Sequence, residues 1–300
     1  MKKLLLSLLI FCVFILMSSS AMAAVELSVG IGDYWGNFNL QFQKYELLFE
    51  VDGIGLLGLY SECRFFDNQF GVGINYVTGS YSFEGAGTTN NDEELEASGT
   101  RNRSDLDFWL RWMPSRHFSV LGGYKKVTFD FKDVLADWSE PEGKELHGEA
   151  DLDLDGFAIG VQTAWGRRLI AVLSLSYFPS LSGNVTWDGE KKEAGGEWEE
   201  DKGDSTVDAQ GFKLQFNVAK PFPSIRSALI FGYYLQIIAD ELDTINYRTD
   251  ELFTGLMIAF SYTHRFGGPS EVDADEIEED IETEETEMSS VILNSYAPRY

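Results

Sequence analysis

The chain is poor in cysteine, in base and in long apolar runs, and each shortage excludes a class of protein. It has two cysteines, Cys12 and Cys63. Cys12 lies inside an N-terminal leader, so the mature chain keeps one thiol, which rules out an internal disulfide and a cysteine-bridged secreted scaffold. Basic residues number 23 against 49 acidic ones. A chain this acidic has no electrostatic footprint for nucleic acid. Beyond residue 23 no apolar window of about 18 residues occurs, which excludes a bundle of membrane-spanning helices. Only three histidines, His117, His147 and His264, are available for acid–base or metal chemistry.

The leader is informative. "MKKLLLSLLIFCVFILMSSSAMA" carries two lysines, an apolar run from Leu4 to Met17 and then Ala21-Met22-Ala23, the three parts of a secretory signal with a small-residue cleavage site. The apolar run is shorter than the ~20 residues of a spanning helix, which argues against an anchor. No small residues precede Cys12 as a lipoprotein site requires. Cleavage after Ala23 removes Lys2 and Lys3, leaving 21 bases against 49 acids and a net charge of −28. In an exported chain Cys63 is expected to be buried or to face lipid.

After the leader the chain alternates apolar and polar residues. Strands are expected near 25–36, 54–66, 69–84, 103–113, 117–132, 150–166, 168–188, 205–220, 224–240 and 250–266. Short joints fall at Asp67-Asn68, Pro114–Arg116, Arg167 and Pro221–Pro223; long polar ones fall at 37–53, 85–102, 133–149, 189–204 and 241–249. Short and long joints take turns, the order produced by an antiparallel transmembrane barrel with short periplasmic turns and long outer loops. The reading is an all-β barrel of about 10 strands, with 8 or 12 as alternatives, over residues 24–266. The segment 42–51 is open between a hairpin arm, a strand extension and a short helix.

The faces support this reading. Leu256, Ile258, Phe260, Tyr262 and Phe266 share one side of the last strand, opposite Gly255, Ala259, Ser261, Thr263 and Arg265. Large apolar residues outward and small or polar ones inward is the reverse of a soluble barrel, and lipid outside requires it. Phe66, Phe70, Trp112, Phe118, Trp165, Phe222 and Phe266 gather at the short turns as an inner aromatic girdle. A soluble β-sandwich also alternates, but does not explain the order of the joints. Lys125 falls on the lipid side in this register, so a bulge or slip is expected near it.

The leader, the hairpin order and "LMIAFSYTHRF" ending at Phe266 resemble the small outer-membrane β-barrels of Gram-negative bacteria, porin-like and outer membrane protein A-type barrels among them. The resemblance implies outer-membrane localisation, contact with lipid and lipopolysaccharide, and insertion by the barrel assembly machinery, with Tyr262 and Phe266 in the recognition strand. The chain departs from the simplest members in continuing past Phe266. Residues 267–300 place eleven acids between Glu271 and Glu287 against the single base Arg299. Such a segment cannot bury enough apolar surface to fold; it is expected to be a disordered periplasmic spacer to its end, with a docking peptide for a periplasmic partner in its less charged last residues as the alternative.

Candidate chemistry is sparse. "GIGLLG" at Gly53, Gly55 and Gly58 fits a dinucleotide fingerprint but has no βαβ unit around it; its glycines are read as strand-packing positions, and no cofactor is expected. His147 lies near Glu145, Glu149, Asp151, Asp153 and Asp155, a weak outer-rim hydrolase signal. The stronger signal is charge on the inward face: Glu62, Arg64, Asp105, Asp107, Arg111, Lys213, Arg226 and Arg265. Opposite charges in a narrow lumen either pair into a plug or line a constriction. The expected function is therefore a non-enzymatic barrel, structural or a narrow pore, with a surface-binding barrel acting through its acidic loops as the alternative.

Overall fold

The computed structural model describes residues 25–42, 47–66, 68–88, 94–138, 143–166, 168–242 and 247–266. The leader and the acidic tail lie outside them. Ten strands follow in chain order: β1 (Val25–Phe42), β2 (Leu47–Phe65), β3 (Phe70–Thr88), β4 (Glu94–Ser115), β5 (Phe118–Trp138), β6 (Glu145–Trp165), β7 (Ile170–Lys192), β8 (Glu199–Phe222), β9 (Ser227–Leu242) and β10 (Tyr247–Phe266). Each pairs antiparallel with its sequence neighbours. β1 pairs with β10 from Val25–Phe266 to Phe42–Thr249, which closes the barrel.

The turns at one end are tight. A short 3-10 turn, Pro223–Ile225, joins β8 to β9, and β4 passes to β5 through Arg116 and His117 alone. At the other end the joints expected as loops are strand for most of their length: Leu95–Trp138, Glu145–Lys192 and Lys191–Glu199 are paired rungs. Of the segment 42–51, Phe42 ends β1 and residues 47–51 belong to β2, with Phe42 opposite Leu47; residues 43–46 lie outside the described ones.

Strand length has a direct consequence. At ~3.4 Å per residue and a tilt near 40°, a 20-residue strand rises roughly 50 Å, about twice the ~25 Å apolar band of such barrels. About half of each strand therefore stands in water beyond the band, and the faces obey this. Near the tight turns the outward side chains are large and exposed: Leu110, Trp112, Phe118, Val120, Phe157, Ile159, Val161, Leu256, Ile258 and Phe260. The seven girdle aromatics are all outward, between 38% and 50% exposed, the placement an interfacial girdle requires.

Higher up the pattern inverts. On β5 the outward residues become Lys126, Thr128, Asp130 and Lys132, while Val127 and Phe129 are buried inside and Phe131 packs against them. On β6 Asp151, Asp153 and Asp155 face out and Leu154 faces in. With water outside, apolar side chains gain by turning inward, so one strand is a membrane strand at its lower end and a soluble-barrel strand at its upper end. This explains Lys125. The rungs Asp107–Lys125 through Thr100–Lys132 run without a break, so no slip occurs at the lysine; the apolar residues change sides there because the surroundings change. Lys125 faces inward and is fully buried, which corrects the lipid-side expectation. The real irregularity lies above it, at Lys132 and Asp133, where β5 slips against β6 and Asp133 takes a left-handed φ of 51°.

Candidate functional site

The lumen is the site, and it is full. Glycine makes the filling possible, because a ten-stranded barrel is little wider than one that side chains close. The ring of Tyr60 on β2 lies over Gly30 of β1 so closely that a Cβ there would overlap it, and the ring of Tyr34 covers Gly58 in the same way. Trp109, wholly buried, has Gly73 and Gly123 as its cross-strand neighbours. The glycines of "GIGLLG" are thus strand positions, with Gly58 fitted to an aromatic ring.

The inward charges form tiers. At the periplasmic end Arg64 donates from Nε to Glu62 Oε2 at 2.8 Å, from Nη2 to Ser28 Oγ at 3.2 Å, and approaches Glu26 Oε2 at 3.4 Å. Arg111 reaches Glu62 Oε1 at 3.6 Å and donates to Gln162 Oε1. In the middle tier Lys125 Nζ donates to Asp107 Oδ1 at 3.1 Å and lies 4.9 Å from the Phe178 ring centre. Lys213 shares this tier, within electrostatic reach of Asp105 and Asp107.

The upper tier crosses the lumen. Arg103 on β4 donates to Asp105 Oδ2 at 3.0 Å and to Glu251 Oε1 at 2.9 Å; Arg101 reaches Glu251 Oε2 at 3.3 Å. β10 is four strands from β4 around a ring of ten, so these contacts bridge nearly opposite walls. Aromatic rings support both guanidinium groups. Arg101 lies 3.8 Å from the centre of Phe129 and 4.3 Å from that of Phe38, and Arg103 lies 4.6 Å from that of Phe253. A desolvated guanidinium gains from such faces as well as from its carboxylate.

Of the residues expected on the inner wall, Glu62, Arg64, Asp105, Asp107, Arg111 and Lys213 are all buried there. Arg265 is on the inward face but exposed at the lower mouth, opposite Glu26. Arg226 is not on the wall: it caps the turn after Ile225 in a left-handed conformation and is exposed. A strand drawn from residue 224 imposes alternation on what is a turn. Sequence reasoning missed Glu26, Arg101, Arg103, Lys125 and Glu251. Arg101 and Arg103 carry a signal, since "RNRSDLD" continues the Asp105–Asp107 face in steps of two; the expected strand begins at 103, which leaves Arg101 in a loop and Arg103 at the strand's edge, whereas β4 begins at Glu94. Tyr262 and Phe266 lie on the outer face, 42% and 48% exposed, at the turn end of β10. Cys63, between inward Glu62 and Arg64, is half-buried on the outer face.

The histidines do not converge. His117 Nδ1 bonds the Ala164 carbonyl at 3.0 Å, His264 packs on Phe266 at 4.4 Å, and His147 packs on Trp198 at 4.5 Å. His147 borders a cleft of about 660 Å³ on the outer wall of the upper barrel, together with Glu84, Glu96, Leu135, Asp137 and Glu145. Glu145 is engaged by Lys192 Nζ at 3.4 Å.

No protein-family model matches the chain, and no curated protein is similar to it in sequence. Solved structures are similar in fold. The outer membrane protease OmpT from Escherichia coli superposes with a TM-score of 0.54 at 10% identity, over 82% of this chain and 99% of that one. The attachment invasion locus protein Ail of Yersinia pestis matches at a TM-score of 0.30 and 13% identity, over 78% and 98%. The Pseudomonas putida toluene transporter TodX matches at 0.30 and 8%, over 82% and 91%. The last two superpose too loosely to argue from. By fold the chain is a ten-stranded outer-membrane β-barrel, and at this identity the likeness extends no further than the fold.

Proposed function

We propose that the protein is a non-enzymatic barrel of the Gram-negative outer membrane, closed to ions at rest, whose upper half presents an acidic wall to the outside. The observation that carries this reading is the trans-luminal contact of Arg103 and Arg101 with Glu251, above a lumen whose other charges, Arg265 at the lower mouth apart, are buried and in opposite-sign clusters. An ion passing through would have to separate buried pairs, which is strongly unfavourable. In this reading the leader is cleaved after Ala23, the barrel assembly machinery receives the strand ending in Tyr262 and Phe266, lipid and lipopolysaccharide surround the girdled half, and residues 267–300 hang into the periplasm as an acidic spacer with room for a partner. The test is planar-bilayer conductance of the refolded full chain, with a heat-dependent gel shift to show that the barrel is closed. A folded, silent protein is expected; discrete conductance steps would overturn the reading.

A second reading has its own observation. The outer cleft bordered by Glu84, Glu96, Asp137, Glu145 and His147 fits a surface-binding role toward a basic partner. Binding to immobilised basic proteins that is lost with Glu84→Gln and Asp137→Asn together, and at high salt, would support it. Loss of a hydrolytic activity in His147→Ala would instead revive the enzyme class.

A further inference from the structure

Resting on the closed-lumen reading above, we propose that the Arg101–Arg103–Glu251 strap is a gate, and that the passage it closes takes small uncharged hydrogen-bonding solutes such as short polyols and amides. The two halves of the lumen differ. β4 and β5 carry Arg101, Arg103, Asp105, Asp107, Arg111 and Lys125, whereas the inward face of β7 to β9 is mostly neutral. There Ser174 lies opposite Gln215 and Ser176 opposite Lys213, which is opposite Gln236; Asn217 follows Gln215 toward the periplasm. All five of these neutral side chains are at most 2% exposed. Each has an atom without a hydrogen-bond partner: Ser174 Oγ, Ser176 Oγ, Gln215 Oε1, Asn217 Nδ2 and Gln236 Nε2. Ser261 Oγ, nearer the lower mouth on β10, is in the same position.

Buried polar atoms without partners are costly, and a wall meant only to fill space would be apolar, as the layer of Ile170, Ala219 and Ile230 beneath it is. A wall of uncharged donors and acceptors offers partners to a hydroxyl or amide solute and none of the compensation an ion needs on losing its water. The closure above it has one point of release. Arg101 and Arg103 both bind Glu251, and Arg101 Nε, Arg101 Nη1 and Arg103 Nε bond to nothing further. Loss of that carboxylate contact parts β10 from both arginines, leaving Arg101 on the Phe129 ring and Arg103 held to Asp105 on its own strand.

The experiment is osmotic swelling of liposomes that hold the refolded full chain, in glycerol and in a disaccharide, with bilayer conductance measured on the same preparations. The variants are Arg103→Ala with Glu251→Ala, and Glu251→Gln, which keeps the shape of the native residue. Each preparation is checked for closure by the gel shift. The wild type should swell at the rate of protein-free liposomes. Both variants should swell at least tenfold faster in glycerol but not in the disaccharide, and Gln215→Leu added to either should return the rate to that of the wild type. Folded variants that swell no faster than the wild type would overturn the gate. Fast swelling unaffected by Gln215→Leu would overturn the assignment of the wall. Conductance in the wild type would overturn the closed-lumen reading instead, which keeps the two failures apart.

Discussion

Replacing Lys125 with methionine sets two opposite outcomes against each other. A lysine facing lipid near the middle of the apolar band costs a barrel about 2–4 kcal/mol, so removing it would stabilise the protein. In the structure Lys125 is fully buried in the lumen, 3.1 Å from Asp107, itself fully buried. Removing one partner of such a pair leaves an uncompensated buried charge and costs about 3–5 kcal/mol, whereas replacing both by apolar residues of similar volume is close to neutral. The flanking ring of Phe178 at 4.9 Å adds a cation–π contribution of roughly 1 kcal/mol that methionine retains in part as packing. Lys125→Met should therefore lower stability by about 3 kcal/mol, and Lys125→Met with Asp107→Leu should recover most of the loss. The assay is urea unfolding in lipid, with the folded fraction read from the heat-dependent gel shift. A single variant as stable as the wild type, or more so, would refute the inward placement and with it the inversion of faces on β5.

Two further outcomes follow from the upper and lower ends of the barrel. Arg226 holds φ 51° and ψ 39°, a conformation that costs a residue with a Cβ about 1 kcal/mol and costs glycine little. Arg226→Gly should raise the urea midpoint slightly, whereas a luminal arginine would be missed. Asp240, half-buried on the inward face of β9 above the apolar band, has its carboxyl pushed up from 3.8 to about 7 by burial and by nearby Glu251. A raised carboxyl is held protonated in the fold, so its contribution is intact below pH ~4 and is lost as pH rises through about 7. Asp240→Asn should match the wild type near pH 4 and exceed it by about 2 kcal/mol near pH 8, measured by the same unfolding assay at both pH values; equal curves would refute the shift.

Ten strands and the closure between residues 25 and 266 were legible because alternation and the order of joints are local properties of the chain. The outer ends were not, and the reason is physical. Alternation marks which residues share a face, not which side that face meets. In "YKKVTFDF" the large residues move from even to odd positions, from Tyr124 to Val127 and Phe129, with no Gly-Pro punctuation. That change is what a strand leaving lipid for water produces, and equally what a bulge would. The inner charges at Asp105, Asp107 and Arg111 were readable from the same alternation. Glu251 was not, because its significance depends on β10 lying across the ring from β4, a relation no window of the sequence contains.

The inversion also bears on what the lumen rejects. Because water surrounds the upper half, Phe38, Phe129 and Phe253 turn inward there and build the aromatic ledge on which Arg101 and Arg103 rest. The outer wall around that level carries Asp130, Asp151, Asp153 and Asp155, only some of them matched by Lys126 and Lys132. An acidic exterior gathers cations at the mouth, and two buried guanidinium groups stand directly below. An anion is disfavoured by the wall, and an ion of either sign by the strap, whose two guanidinium groups are matched by Glu251 and Asp105 and would have to be parted from them. Neither charge sign finds a continuous attractive path, so under the gate proposed above a molecule admitted past the strap is one that carries no charge. Salt separates the two filters. Screening with a Debye length of ~3 Å at 1 M removes the field of the outer wall but reaches buried pairs far less. In the strap-released variants, high salt should therefore admit more anion while leaving glycerol entry unchanged.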